Sequence, residues 1–234
     1  MRGVPRRVLT DLTRRSTVAR MTRLPDPSSP PADPHPADPP RIAGAADLDR
    51  LVDVVTLAFA DDPVWGPAFP ADPGSATRRA LWRPYLGAAA RLSWSWLTAG
   101  GGAVSLWVPP GEVEMTPEQA RALEEVVVER LGLRGPDVIA LFDRFDSSHP
   151  TDEPHYYLTV LATHPDHRGR GIGMGLLADN LARIDAERMP AYLESTNPAN
   201  DARYERLGFR RVGEFAGYLP GSTITTMWRP AARG

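Results

Sequence analysis

The chain has 234 residues, enough for one domain with a tail, and 42% of them are hydrophobic, which suffices for a core. Its net charge of −2 conceals seven arginines against one acid in residues 1–23, so the rest stands at −8, a balance that argues against nucleic acid as the main partner. There is no cysteine, which excludes disulfides, thiolate metal sites and a cysteine nucleophile and gives no sign of secretion; there is no lysine either, which excludes a P-loop.

Residues 1–40 read as a disordered Arg- and Pro-rich extension, and residues 41–234 as the domain. Residues 2–23 lack a sustained apolar stretch, so they make no secretory signal. Residues 25–40 hold eight prolines in a polar setting, a polyproline-like linker. A basic arm that touches membrane or nucleic acid is one reading of this tail. The plainer ones are a dispensable extension, or an upstream start codon with the true start at Met21.

In the body, residues 40–43 open a first strand. Asp47 is set to cap a helix to about Phe59, because Leu48, Leu51, Val52, Val55 and Phe59 recur at helical spacing. Asp61-Asp62-Pro63 ends it, and residues 65–70 read as an aromatic, proline-rich loop. Ser75 is placed to cap a second helix to about Arg91, with Pro84 expected to break or kink it. Residues 93–98 and 103–108 alternate as strands around the glycines at 100–102. The uncharged run 92–111, interrupted by those glycines and two prolines, is therefore a hairpin and not a membrane span. Thr116-Pro117 starts a helix to about Leu131, and residues 136–146 form another. Then follow a strand at 155–163, a helix at 172–188, a strand at 191–195, a short helix at 200–207 and strands near 210–216 and 223–229. The alternation predicts an α/β fold, a mixed sheet with helices on both faces.

Between the strand at 155–163 and the helix at 172–188 lies Arg168-x-x-Gly171-x-Gly173. A strand feeding a glycine-rich turn that opens a helix is an anion site: helix N-terminal amides point outward unpaired, and glycine lets a phosphate approach the backbone. Arg168 and Arg170 add multi-donor cations. The spacing is not that of a dinucleotide-binding fingerprint. On the turn alone, a tight turn with a solvated arginine pair fits equally well.

The surroundings bring in a resemblance. The segment HPDHRGRGIG (residues 164–173), followed by AYLESTNPANDARYERLGF (residues 191–209), resembles the GNAT family of acetyl-CoA-dependent N-acetyltransferases, with a Gln/Arg-x-x-Gly-x-Gly/Ala turn and a later strand, tyrosine-bearing helix and Leu-Gly-Phe closure. Together with LAFADDP, GGAVSLWVPP and YLES, the layout is similar to the puromycin N-acetyltransferase-like branch. The resemblance covers about residues 41–229 and is strongest over 155–215. It implies the α+β GNAT fold: a mixed, mostly antiparallel central sheet splayed between two strands, with helices on both faces.

The same resemblance implies roles. Backbone amides across Arg168, Gly169, Arg170, Gly171, Ile172 and Gly173 would hold the pyrophosphate of acetyl-CoA, and Leu161, Ala162 and Thr163 would pair with its pantetheine arm, an N–H near Leu161 or Ala162 meeting the carbonyl oxygen. Tyr204 would be the general acid, a phenol that stays protonated at neutral pH, although a tyrosine there also serves to pack the short helix. Asn200 would cap that helix, touch pantetheine or do both, with Asn197 as a substitute. Glu194 is the candidate base if it faces the cleft; otherwise it is a hydrogen-bonding strut. Asp61 and Asp62 are alternatives that could attract an ammonium, or simply form a polar helix end.

Among the aromatics Trp65, Phe69, Trp82, Tyr85, Trp94 and Trp96, which serve as acceptor wall or as core, Trp65 and Phe69 are the stronger pocket candidates. The five histidines show no metal-ligand spacing, so no metal is expected. The implied protein is a cytoplasmic monomer or homodimer that needs no nucleic acid or membrane. It would transfer acetyl directly from acetyl-CoA to a primary amine of a small molecule, antibiotic-like amines included. Acetylation of protein lysines or N-termini, and an inactive acyl-CoA-binding sensor, are the alternatives.

Overall fold

The computed structural model describes residues 39–232, so the extension expected over residues 1–40 lies, except for its last two residues, outside the described residues. Strands β1 (Arg41–Ile42), β2 (Ser95–Leu97), β3 (Ala103–Val108), β4 (Tyr156–Thr163), β5 (Ala191–Ser195), β6 (Arg210–Ala216) and β7 (Thr223–Arg229) form one open sheet of order β1-β2-β3-β4-β5-β7-β6. Every neighbouring pair is antiparallel except β4–β5, which is parallel. The helices are α1 (Leu48–Ala58), α2 (Trp65–Ala68), α3 (Ala76–Ala89), α4 (Pro117–Leu131), α5 (Gly135–Ser148), α6 (Ile172–Ala186) and α7 (Asp201–Glu205).

Two cores cover the two faces of the sheet. Leu51, Val55, Leu81, Leu86, Leu123 and Leu141, from α1, α3, α4 and α5, pack with Val104, Leu106, Val160 and Ala162 of the sheet. On the other face, Leu176, Leu177, Leu181 and Ile184 of α6 pack with Trp107, Tyr156, Leu158, Leu193 and Phe209. Beneath α6, Asn180 is buried and accepts from Ser105 Oγ at 2.5 Å and from Trp107 Nε1 at 3.0 Å, so its carbonyl oxygen is satisfied inside an apolar layer.

Strand β4 changes faces along its length. Leu106 pairs with Val160 and Trp107 with Leu158, which leaves Thr159 as an extra residue, a β-bulge. Successive side chains of a strand alternate. The bulge shifts that alternation, so Tyr156 and Leu158 join the α6 core while Val160 and Ala162 join the opposite one. Pairing between β4 and β5 ends at Leu158–Leu193. Past that point the two strands separate, and among the described residues the β5-facing edge of β4 from Thr159 to Thr163 has no strand partner.

Several local expectations are corrected. Residues 65–70 do not form a plain loop: residues 65–68 are a helical turn, because buried Asp62 Oδ1 accepts from the amides of Val64 (2.9 Å) and Trp65 (3.0 Å) and caps it. Pro84 does not break α3, which runs through it; Leu81, Trp82 and Leu86 are buried on either side of the ring, and that packing outweighs the lost backbone bond. Ser75 does not cap α3, since it sits at φ 56° with no capping bond, and Asp72 instead accepts from Thr77 N at 3.0 Å. Asp47 spends its carboxylate on Arg41 and the Gly44 amide rather than on the first turn of α1.

Candidate active site

The site begins where β4 and β5 part. Residues 165–167 turn the chain out of β4, and Gly169 (φ 76°) and Gly171 (φ 73°) reverse it into α6. Both glycines need the left-handed region, and a Cβ on either would project into open space, so the turn is an uncovered concavity. The first amides of α6 have no carbonyl one turn behind them and face the same cleft. Gly173 lies hard against the Thr163 hydroxyl, so a larger residue there would push the helix end off β4.

This cleft is walled by Ala162, Thr163, Arg168, Gly169, Gly171, Ile172 and Gly173 from β4 and the turn, and by Arg203 of α7 and Arg206 at its C-terminal end. The two latter arginines were missed from sequence; their spacing of three on the tyrosine helix was the available signal. Arg168 spends one guanidinium nitrogen on Ala58 O (2.8 Å), tying the turn to the end of α1. Arg170 departs from expectation: exposed and outside the cleft wall, it rests its guanidinium 3.2 Å from His167 Nδ1. Asp61 is exposed and borders this cleft, not the apolar chamber described next.

A second cavity opens on the other side of the splay. Its apolar wall is Phe59, Trp65, Phe69, Trp82, Phe142 and Phe145, with Trp65 stacked on Phe145 at 5.6 Å between ring centroids. Trp65, Phe69, Trp82 and Tyr85 thus all reach it. Trp94 and Trp96 do not: Trp94 packs on Tyr156, and Trp96 holds the Arg183 guanidinium 4.4 Å above its ring. Phe59, Asp62, Leu161, Asn197, Asn200 and Tyr204 line both cavities, which marks the junction.

Glu194 and Tyr204 flank that junction. Period-two alternation in β5 buries Ala191 and Leu193 against α6 and turns Glu194 to the chamber. One of its carboxyl oxygens is fully buried and has no hydrogen-bond partner among the described residues. Burial pushes this carboxyl up to about 8, opposed by the Tyr157 and Tyr192 hydroxyls, with the Glu114 charge raising it further. Burial also lifts the Tyr204 phenol to about 12, helped by the negative charges of Asp201 and Asp62, so it keeps its proton.

The helix that carries Tyr204 is pinned by Asp201, which accepts from Ser195 Oγ at 2.6 Å and Thr225 Oγ1 at 3.2 Å and so ties α7 to β5 and β7. Thr196 Oγ1 donates to Asp62 Oδ2 at 2.8 Å and closes the junction from the other side. Asn197, not Asn200, caps this region: its side chain accepts from Ala199 N at 3.1 Å, whereas Asn200 accepts from Arg203.

Sequence reasoning missed Glu114. It stands in the segment between β3 and α4, lines the chamber and accepts a hydrogen bond from Tyr85. Burial pushes it up to about 7, against the pull of that bond. Its only sequence signal is a carboxyl between the apolar Val113 and Met115. Among the described residues no group of three or more His, Asp or Glu side chains is placed to hold a metal ion. Nor is any described helix long and apolar enough to cross a membrane.

Comparison with known proteins follows this geometry. Residues 137–211 match the family model of the acetyltransferase (GNAT) domain, a span that includes β4, the turn, β5 and α7. A structure of histone acetyltransferase HPA2 and related acetyltransferase from Corynebacterium glutamicum is 26% identical, covers 85% of this chain and 98% of its own, and superposes with a TM-score of 0.58. The fold is the GNAT acetyltransferase fold. Polyamine N-acetyltransferase of Drosophila melanogaster, described as forming N-acetylagmatine, shares that fold at 12% identity and TM-score 0.58, covering 82% of this chain and 99% of its own. An N-acetyltransferase from Staphylococcus aureus does so at 18% identity and TM-score 0.54, covering 81% and 99%.

Proposed function

We propose that this protein is an acetyl-CoA-dependent N-acetyltransferase that acts on a primary amine of a small molecule. The observation that carries the reading is the junction: a glycine cradle with helix N-terminal amides on one side, an aromatic and acidic chamber on the other, and Tyr204 and Glu194 beside the opening. The residues present fit the donor. The uncovered concavity at Gly169 and Gly171 and the amides of α6 suit a pyrophosphate. Arg168, Arg203 and Arg206 add positive charge, and the unpaired edge of β4 at Leu161, Ala162 and Thr163 suits an extended, amide-bearing pantetheine arm. Bound there, acetyl-CoA supplies the thioester acetyl group.

The chain's own groups supply the rest. A backbone N–H of β4 near Leu161 or Ala162 donates to the carbonyl oxygen. Glu194, which lines the chamber, takes a proton from the incoming ammonium in its ionised form. Tyr204 gives its proton to the departing sulfur; a phenol held near 12 remains a donor throughout the neutral range. Transfer is direct, since the chain has no cysteine to carry the acyl group. A small-molecule acceptor is favoured over a protein one by the enclosed aromatic wall, and the fold neighbour that forms N-acetylagmatine acts on such an amine. The finer likeness to the puromycin-type branch rests on the chain's own motifs. Cytoplasmic placement, and a monomer or homodimer, belong to the same reading.

Purified full-length chain incubated with acetyl-CoA and a panel of primary amines should release free thiol in proportion to amine acetylated, followed by thiol titration and mass spectrometry. Acetyl-CoA binding without transfer to any amine or peptide would instead support a sensor. Transfer confined to peptides would favour protein acetylation.

A further inference from the structure

The chamber's charge is one-sided. Asp62, Glu114, Glu124, Asp143, Asp146 and Glu194 line it, and among the described residues no arginine or histidine does. These carboxyl groups are not equivalent. Glu124, Asp143 and Asp146 are exposed on α4 and α5 and form the rim. Glu114 and Glu194 lie within, and burial disfavours the ionised form of both, with the charge of Glu114 adding to the effect on Glu194 and that of Asp146 to the effect on Glu114. Two buried carboxyl groups opening on one cavity are stable as anions only with compensating positive charge.

The reacting nitrogen cannot provide that charge through the reaction. It must be neutral to attack, and the amide it becomes is neutral as well. Glu194, which lines the chamber beside Tyr204, is assigned to the proton this nitrogen gives up. Glu114 has no such task. Tyr85 donates to one of its oxygens and fixes the carboxyl, leaving the other oxygen for a donor arriving in the chamber. Much of the remaining chamber wall is aromatic, including Phe59, Trp65, Trp82 and Phe142.

We infer that the acceptor is a diamine with an apolar spacer, whose second ammonium stays charged and is held by Glu114 while its first nitrogen is acetylated beside Glu194. The inference rests on the acetyltransfer reading for the identity of the reacting end. Glu114 is then a specificity-determining residue, and the rim carboxylates draw the dication in.

Calorimetric titration of the full chain, with and without coenzyme A, tests this with matched probes: hexamethylenediamine against hexylamine, and para-xylylenediamine against para-methylbenzylamine. The wild type should bind the diamine of each pair at least about tenfold more tightly, as expected for a charge-assisted hydrogen bond in a desolvated site. Glu114→Gln should bring the ratio to about one while the monoamine affinity holds within about twofold. Tyr85→Phe, which removes the clamp and keeps the carboxylate, should retain the preference and guards against a folding defect in the first variant. Equal binding within each pair, a preference that survives Glu114→Gln, or no binding of any of these amines overturns the inference. Diamine-selective binding without acetyl transfer would sink the enzymatic reading and leave the acceptor class standing; equally efficient transfer to mono- and diamines would do the reverse.

Discussion

The two halves of the cleft are built by different means. The donor half is backbone: two glycines at positive φ, the first amides of α6 and the free edge of β4, with Arg168, Arg203 and Arg206 around them. The acceptor half is side chain: aromatic rings and carboxyl groups delivered by separate segments, with Asp62 after α1, Tyr85 on α3, Glu114 before α4, Asp146 on α5, Tyr157 on β4 and Glu194 on β5. One half is basic and the other acidic, and they share Tyr204. A backbone site tolerates few sequences, because only glycine enters the left-handed region without strain, whereas a side-chain wall can be drawn from many. Under the proposed function, the difference teaches where specificity can vary: the donor would be written into the turn, and the acceptor into residues that no short motif contains.

The largest effect should come from the group the halves share. Tyr204→Phe is expected to lower kcat by about a hundredfold or more, the range for a positioned proton donor, while the acetyl-CoA dissociation constant from calorimetry stays within about twofold. Equal losses in kcat and in acetyl-CoA affinity would show that Tyr204 packs the donor site and does not serve the junction.

Next comes the pH profile of the acceptor half. In the proposed reaction Glu194 acts as the ionised base and is held at about 8, so kcat should rise with pH to a plateau above about pH 8. Glu194→Gln should abolish that limb and lower kcat about tenfold to a hundredfold. A limb that persists in this variant would assign the base elsewhere.

The smallest effect separates function from stability. Glu194 and Glu114 have folded values of about 8 and 7, above the ordinary 4.5, so the folded state favours their protonated forms. Stability from this preference is fully present below about 4.5 and is lost as pH rises through 7 and 8. Either Gln variant should therefore be more stable than the wild type above about pH 8, by about 1 kcal/mol or more, and no more stable near pH 4. Thermal unfolding at the two pH values checks the sign. No comparable gain is expected from changes around the turn.

The same contrast explains what sequence reading reached. The turn, β4, β5 and the tyrosine helix were legible because their periodicity, glycine spacing and short separation lie in one stretch, residues 155–209. Helix α1 announced itself by apolar recurrence, and α4 by Thr116-Pro117 at its start. The turn at Trp65–Ala68 was hidden because its cap, Asp62, precedes an intervening proline. The continuity of α3 through Pro84 depends on tertiary packing that no local pattern carries. Glu114 was illegible for the same reason: nothing near it in sequence indicates that it shares a chamber with α3, α5, β4 and β5. Arg170 and Asp61 carried the right chemistry at the right turns but sit outside the cleft wall and outside the apolar chamber, respectively.

The central claim is that the backbone cradle at Gly169–Gly173 holds the donor's pyrophosphate. Calorimetric titration of the full chain with acetyl-CoA, and in parallel with S-acetylpantetheine, which lacks the pyrophosphate, tests it most directly. Acetyl-CoA should bind, the truncated donor should bind at least about tenfold more weakly, and Gly171→Val, which forces a branched side chain into the left-handed region, should erase most of that difference. Failure of acetyl-CoA to bind, or equal affinity for the two donors, would contradict the account.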